Sequence, residues 1–130
     1  MPDHTKTNLM DATDVAGARG ATGLEARMVR DRMDSEQLGV GYFRYGPNVR
    51  SPFGHHHEVQ EEAYVVVEGS GRVKLDDEVV DLAQWDVLRV APKVVRAFEG
   101  GPDGLTLVAI GGTRPPEGDG NLIPGWWPED

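Results

Sequence analysis

The sequence predicts a single all-β domain, a barrel or sandwich of short antiparallel strands, and three observations lead there. Apolar runs recur at even spacing along the 130 residues and are punctuated by Gly, Pro and Asp, the pattern of strands separated by tight turns. The continuous apolar run Ala63, Tyr64, Val65, Val66, Val67 has strand length and composition and predicts burial on both faces. Neither a convincing helical period nor a nucleotide-binding glycine motif nor an internal repeat competes with this pattern.

Residues 1–23 are polar and small, with too few apolar positions to define a face, so they read as a flexible or loosely docked arm that Leu9 and Met10 can anchor. Over 24–33, Leu24, Ala26 and Met28 alternate with Glu25, Arg27 and Val29 as in a strand, and 31–35 reads as a turn. In the strand 37–45, Leu38, Val40, Tyr42 and Arg44 share one face, while Gly39, Gly41, Phe43 and Tyr45 share the other. Glycines inside a strand mark a bend or a close backbone approach. After the turn at 46–48, Pro52 makes 49–53 an edge or bulged segment.

The outward side of 63–67 needs a cover, for which a second subunit or the arm is the simplest candidate. Segments 72–75 and 79–82 flank Asp76, Asp77 and Glu78 as a hairpin. Strands at 85–90 and 94–98 surround a Pro92-Lys93 turn, 99–104 reads as a loop, and 105–110 is the last clear strand. The Pro- and Gly-rich remainder carries Ile123, Trp126 and Trp127, whose apolar area predicts docking. The resulting division is an arm at 1–23, a barrel at 24–112 and a tail at 113–130 packing on the barrel or on a partner.

The chemistry concentrates in residues 54–71, GHHHEVQEEAYVVVEGSG. Along an extended chain His55 and His57 point the same way, and His56 points to the opposite, outer side. Glu62 can close on the pair if the chain turns between Glu58 and Glu61. Two imidazoles and a carboxylate suit iron, manganese, nickel, copper or zinc better than calcium or magnesium. Gln60 and Glu61 read as solvated loop positions, and His4 as a solvated residue of the arm.

This arrangement resembles the first motif of the cupin family, in which His-x-His is followed by three or four residues, Glu, six residues and Gly. His55, His57, Glu62 and Gly69 fall on it with the spacing intact. The resemblance spans roughly residues 38–110. It implies a cupin-type double-stranded β-barrel, a jelly-roll-like antiparallel sandwich, in which these three ligands hold one divalent ion with a histidine from a second motif.

That second motif departs from the family pattern. Asp86, Pro92 and Phe98 hold its register, but Trp85 and Lys93 replace two glycines, and Arg96 occupies the place of the fourth ligand. A guanidinium has no lone pair for a metal.

Two functional readings follow. In the first, His55, His57 and Glu62 hold a divalent transition metal, and Arg96 holds the carboxylate or phosphate of an anionic small-molecule substrate. Tyr42, Tyr64 and Phe98 then line the pocket, and the reaction is an oxygenation or an isomerisation. In the second, Arg96 replaces the metal, pairs with Glu62, and the protein is a metal-free binding or sensor module for a small acid. A cation ~4 Å from that guanidinium would be repelled by about 4 kcal/mol at an effective dielectric of 20. A homodimer with a vestigial pocket is a third reading.

Composition narrows the rest. Asp and Glu number 22 against 13 Lys and Arg, a formal charge of -9, which disfavours nucleic-acid phosphates and anionic membranes. There is no cysteine for a disulfide or thiolate site. With no apolar signal region or membrane-length run, the expectation is a cytoplasmic protein, paired as a homodimer.

Overall fold

The computed structural model describes residues 3–18 and 20–128. Eight strands follow in order: β1 (Leu24–Met28), β2 (Gly39–Tyr45), β3 (Phe53–His57), β4 (Glu62–Leu75), β5 (Glu78–Leu82), β6 (Val87–Val90), β7 (Arg96–Gly111) and β8 (Gly120–Pro124). Short helical turns lie at Leu9–Asp11, at Val15–Ala18 (α1) and at Arg30–Met33 (α2). Every strand pairing is antiparallel.

Two long strands organise the barrel. The first half of β4 pairs with the second half of β7, and β6, β2 and β1 extend that side. The second half of β4 pairs with the first half of β7, flanked by β5 on one edge and by β3 and β8 on the other. Between the halves the β4–β7 register shifts at Val66/Glu68 and at Gly69/Gly71, and such bulges bend a sheet so that its two parts can face each other. Tyr45, Val66, Leu105 and Leu107 from one part and Val73, Leu82 and Phe98 from the other close the core between them.

Gly69 makes the bend possible. Its φ is +77°, and a Cβ there would lie 2.1 Å from the Gly104 carbonyl oxygen. Gly69→Ala therefore combines left-handed strain with a backbone clash, and we expect a loss of more than ~2 kcal/mol in chemical denaturation. Trp85 shows the opposite choice. It has φ 73° at the place where the family motif carries glycine, and its ring is 67% exposed.

Several expectations need correction. Residues 99–104 are not a loop but part of β7, whose Glu99 and Gly100 pair with Arg72 and Gly71 of β4 before the register resumes at Leu105. The turn at 31–35 begins as the helical turn α2 and ends at Asp34, whose φ is 53°. The run 63–67 is not buried on both faces: Tyr64 and Val66 are buried inward, while Ala63, Val65 and Val67 are half-buried on the outer face. Exposed Val87 pairs with Val65, and exposed Ile110 with Ala63, on that same face.

The described part of the arm lies on β1 rather than over this face. The Asp14 carboxylate accepts from the N–H groups of Ala16, Gly17 and Ala26. These contacts hold the Asp14 carboxyl below its usual range, most of all the one from Ala26. Residues 1, 2 and 19 of the arm lie outside the described residues. The tail contributes β8, which runs along β3 from Phe53 to His57. Trp127 is buried with the Arg50 guanidinium 4.2 Å from its ring centroid, and Arg50 and Arg72 both pair with Glu99. Among the described residues no helix is long and apolar enough to cross a membrane.

Candidate metal centre

Strand alternation brings the first ligands together. On β3, His55 and His57 face the space between the two halves of the barrel, and His56 does not line it. Glu62 opens β4 on the opposite wall, and Arg96 opens β7 directly across from His55 in the β3–β7 register. The Nε2 atoms of His55 and His57 lie 3.4 Å and 3.3 Å from Glu62 Oε1. One donor atom from each of the three residues fits within 4.8 Å of the others, close enough to surround a single ion.

The orientation of His57 is set by a residue that sequence reasoning missed. Asp119, just before β8, receives a hydrogen bond from His57 Nδ1 at 2.9 Å and from the backbone N–H groups of Val59 and Gln60 at 2.7 Å and 2.8 Å. Burial alone would raise the Asp119 pKa, but these three donors outweigh it and bring the carboxyl down to about 2. Ionised, it can only accept, so the proton of neutral His57 sits on Nδ1 and the lone pair on Nε2. His57 Nε2 is buried and has no hydrogen-bond partner among the described residues. A carboxylate fixing the far nitrogen of a histidine, with the near nitrogen left as a donor, is the arrangement that prepares a metal ligand.

Glu62 is prepared in the same sense. Burial pushes its pKa up, but contacts with His55, His57 and the Tyr64 hydroxyl, which donates at 2.5 Å, overcome that and hold the carboxyl well below the usual range. His57 is pulled down by burial and, more strongly in sum, pushed up by Glu62 and Asp119, so its pKa is raised. A metal must displace that proton. We therefore expect apparent metal affinity to fall as pH drops through the His57 titration and to rise above it, with proton release on binding measurable by calorimetry in buffers of different ionisation enthalpy.

Arg96 and Glu62 form an ion pair without a hydrogen bond, looser than the charge-assisted pair of the metal-free reading. Arg96 Nη1 is 3.9 Å from Glu62 Oε1, beyond hydrogen-bond length, although the Arg96 side chain is fully buried. Nη2 donates to the Ala91 carbonyl at 3.1 Å, while Nε and Nη1 have no acceptor among the described residues. Two unmet donors on a buried cation are costly unless a ligand supplies the acceptor.

These groups open into a cavity of about 720 Å³ between the barrel halves. Tyr64 and Phe98 line it, as do Phe43, Tyr45 and Leu107, so most of the wall is apolar. Tyr42 does not line it, because Gly41 and Phe43, its neighbours in β2, take the inward face. Gln60 is buried rather than solvated, and it lines the cavity while donating to the Gly112 carbonyl. Glu61 is exposed and pairs with Arg89.

The signal for Asp119 was one of two acidic residues, with Glu117, in a Pro- and Gly-rich stretch that carries no strand pattern; only the pairing of β8 with β3 brings it to His57. Asp119→Ala should weaken metal affinity by about 10- to 100-fold in competition with a chromophoric chelator, since the tautomer and ring orientation of His57 are then free.

The fold agrees with the comparison to known proteins. A cupin domain family model matches residues 41–110, more than half of the chain. The chain belongs to the cupin family. Among solved structures it is similar to a cupin protein from Bacteroides fragilis, at 20% identity and TM-score 0.71, covering 89% of each chain. It is similar to the polyketide cyclase RemF from Streptomyces resistomycificus, at 18% identity and TM-score 0.72, over 97% of this chain and 88% of that one. A sugar phosphate isomerase of the cupin superfamily from Silicibacter pomeroyi aligns at 21% identity and TM-score 0.66, over 86% of this chain and 77% of that one. No curated protein matches in sequence.

Proposed function

We propose that this protein is a metal-dependent enzyme acting on an anionic, oxygen-bearing small molecule whose body is largely apolar. The observation that carries the reading is the buried Nε2 of His57, which makes no hydrogen bond and stands 3.3 Å from Glu62 Oε1, aimed with His55 and Glu62 at one point and fixed from behind by Asp119. A divalent ion held by His55, His57 and Glu62 would supply a Lewis acid at that point. The free N–H groups of Arg96 would then hold a substrate oxygen on which negative charge resides or develops. Tyr64 would keep Glu62 oriented and ionised. Apolar walls would exclude water from the reacting end and favour a ring-bearing substrate over a polyhydroxylated one.

Of the two reactions considered, isomerisation through proton transfer next to a carbonyl suits this layout better. It needs stabilised negative charge on oxygen, and Arg96 provides for that. The neighbours named as a polyketide cyclase and a sugar phosphate isomerase are compatible with it, and the apolar wall leans toward the former kind of ligand. The test is deuterium exchange at the acidic carbon of aromatic β-keto acids in D2O, followed by NMR, with protein loaded in turn with Fe(II), Mn(II), Ni(II), Cu(II) and Zn(II). Exchange at least ~100-fold faster with one metal than with metal-free protein supports the reading. No metal-dependent exchange would contradict the proton-transfer assignment.

The metal-free binding module is the second reading, favoured by the position of the Arg96 charge near Glu62. Both readings leave the outer face with Val87 and Ile110 for a second copy of the chain, a proposal that sedimentation analysis of Val87→Glu tests. The proposed location is the cytoplasm.

A further inference from the structure

A second cationic group lines the same cavity and takes no part in the metal centre. Arg30, at the start of α2, lies flat on β2 at Gly39. A Cβ on that glycine would meet Arg30 Nη2 at 2.6 Å, Nε at 2.9 Å and Cζ at 3.0 Å. Any other residue at position 39 would push the guanidinium away. Its acceptors are the carbonyls of Gly112, at 3.2 Å from Nη2, and Gln37, at 3.5 Å from Nη1. No carboxylate forms an ion pair with it among the described residues.

Arg114 is arranged alike. It is half-buried, a Cβ on Gly118 would lie 2.8 Å from its Nη1, and it has no hydrogen bond or ion pair among the described residues. Both side chains line the cavity. Burial, and after it the positive charge of Arg114, lowers the pKa of Arg30, so the two guanidinium groups sense each other.

Composition makes this unusual. In a chain with 22 acidic residues against 13 basic ones, Arg27, Arg50, Arg72 and Arg89 all reach a carboxylate. Among the described residues Arg32 and Arg44 reach none but are exposed, whereas Arg30 and Arg114 are half-buried against the cavity that Arg96 also lines, and like charges left together there lower stability unless an anion joins them.

The strand register places this pair relative to the metal ligands. Gly39 pairs with Gly111, and Gly111 pairs with Glu62. Two interstrand steps of about 4.8 Å put Gly39, and the guanidinium resting on it, ~10 Å from Glu62 along the cavity wall. Gln60, whose amide lies over Gly111, sits between them.

We propose that Arg30 and Arg114 form an anion subsite that binds a terminal oxyanion of the substrate, a carboxylate or phosphate, about 10 Å from the metal-facing end. The substrate is then two-ended: an oxygen function at His55, His57, Glu62 and Arg96, and an oxyanion at Arg30 and Arg114. This rests on the reading of the cavity as a substrate chamber, but not on metal being bound.

The test uses metal-free full-length protein, with inorganic phosphate as the probe, followed by residue-resolved NMR. The expected result is saturable shifts at the Arg30 Nε–H and the amides of Gly39 and Gly112, weakened at least ~10-fold in Arg30→Gln with Arg114→Gln. Arg114→Gln alone should weaken binding in part, and near-UV circular dichroism reports whether each variant is folded. Shifts confined to the surroundings of Arg96, shifts scattered over surface Lys and Arg residues, or unchanged binding in the folded variants would overturn the subsite. Metal content of the variants is measured in parallel. Absence of metal in wild type would sink the metal-enzyme reading and leave the phosphate result standing, whereas normal metal with no phosphate effect would sink only the subsite.

Discussion

Replacing His57 by alanine removes bound metal: we expect a loss of affinity beyond roughly 100-fold, larger than the effect of disturbing its carboxylate partner. The imidazole is the most constrained of the three ligands. Its Nδ1 is committed to Asp119, and its Nε2 is buried without a hydrogen bond, 3.3 Å from Glu62 Oε1. Alanine removes that donor and leaves only His55 and Glu62, too few for a closed site. The Asp119 carboxylate retains the N–H groups of Val59 and Gln60, so the loop between β3 and β4 keeps its anchor. Chelator competition reads the affinity, and an unchanged thermal midpoint of the metal-free protein separates ligand loss from unfolding. Metal binding equal to wild type would mean that the ion sits elsewhere.

Arg96→His gives the second large effect, in the opposite direction. The side chain begins on β7 directly across from His55, so an imidazole there starts from the same rung as an existing ligand. The substitution removes a fixed positive charge whose Nη1 lies 3.9 Å from Glu62 Oε1, and it offers a fourth donor. At ~4 Å and an effective dielectric of 20, like charges cost about 4 kcal/mol, so even partial relief exceeds tenfold in affinity. We expect metal to bind at least ~10-fold more tightly while turnover of an anionic substrate falls, because the oxyanion donors are lost. Affinity unchanged or reduced would show that position 96 does not share the coordination sphere.

How much of this was legible in the sequence depends on the range of the interactions. The pairing of His55 with His57 follows from the two-residue strand period, and the hairpin around Asp76 and Asp77 from local turn chemistry; both are present. The cupin barrel was readable through the spacing from His55 to Gly69, and Gly69 proves to be the residue that the sheet bend requires. What failed was non-local. Residues 99–104 carry three glycines and a proline, the composition of a loop, yet they continue β7, with β4 pairing at Glu99 and Gly100 on one side and at Leu105 on the other. Residues 120–124 carry no alternating pattern and become β8 because β3 offers an open edge. Asp119 was hidden for the same reason. Tyr42 was placed in the pocket as an aromatic residue of the right strand, but strand parity turns it away, and only the inward position of Gly41 and Phe43 reveals which parity wins.

The most direct test of the central claim is elemental analysis of untagged wild-type protein beside His57→Ala, purified alike, reconstituted anaerobically and analysed at equal concentration. The account predicts a near-stoichiometric transition metal in wild type and little in the variant. Wild-type protein that stays empty after reconstitution with iron, manganese, nickel, copper and zinc would contradict it, and would leave the cavity as a metal-free binding site built around Arg96.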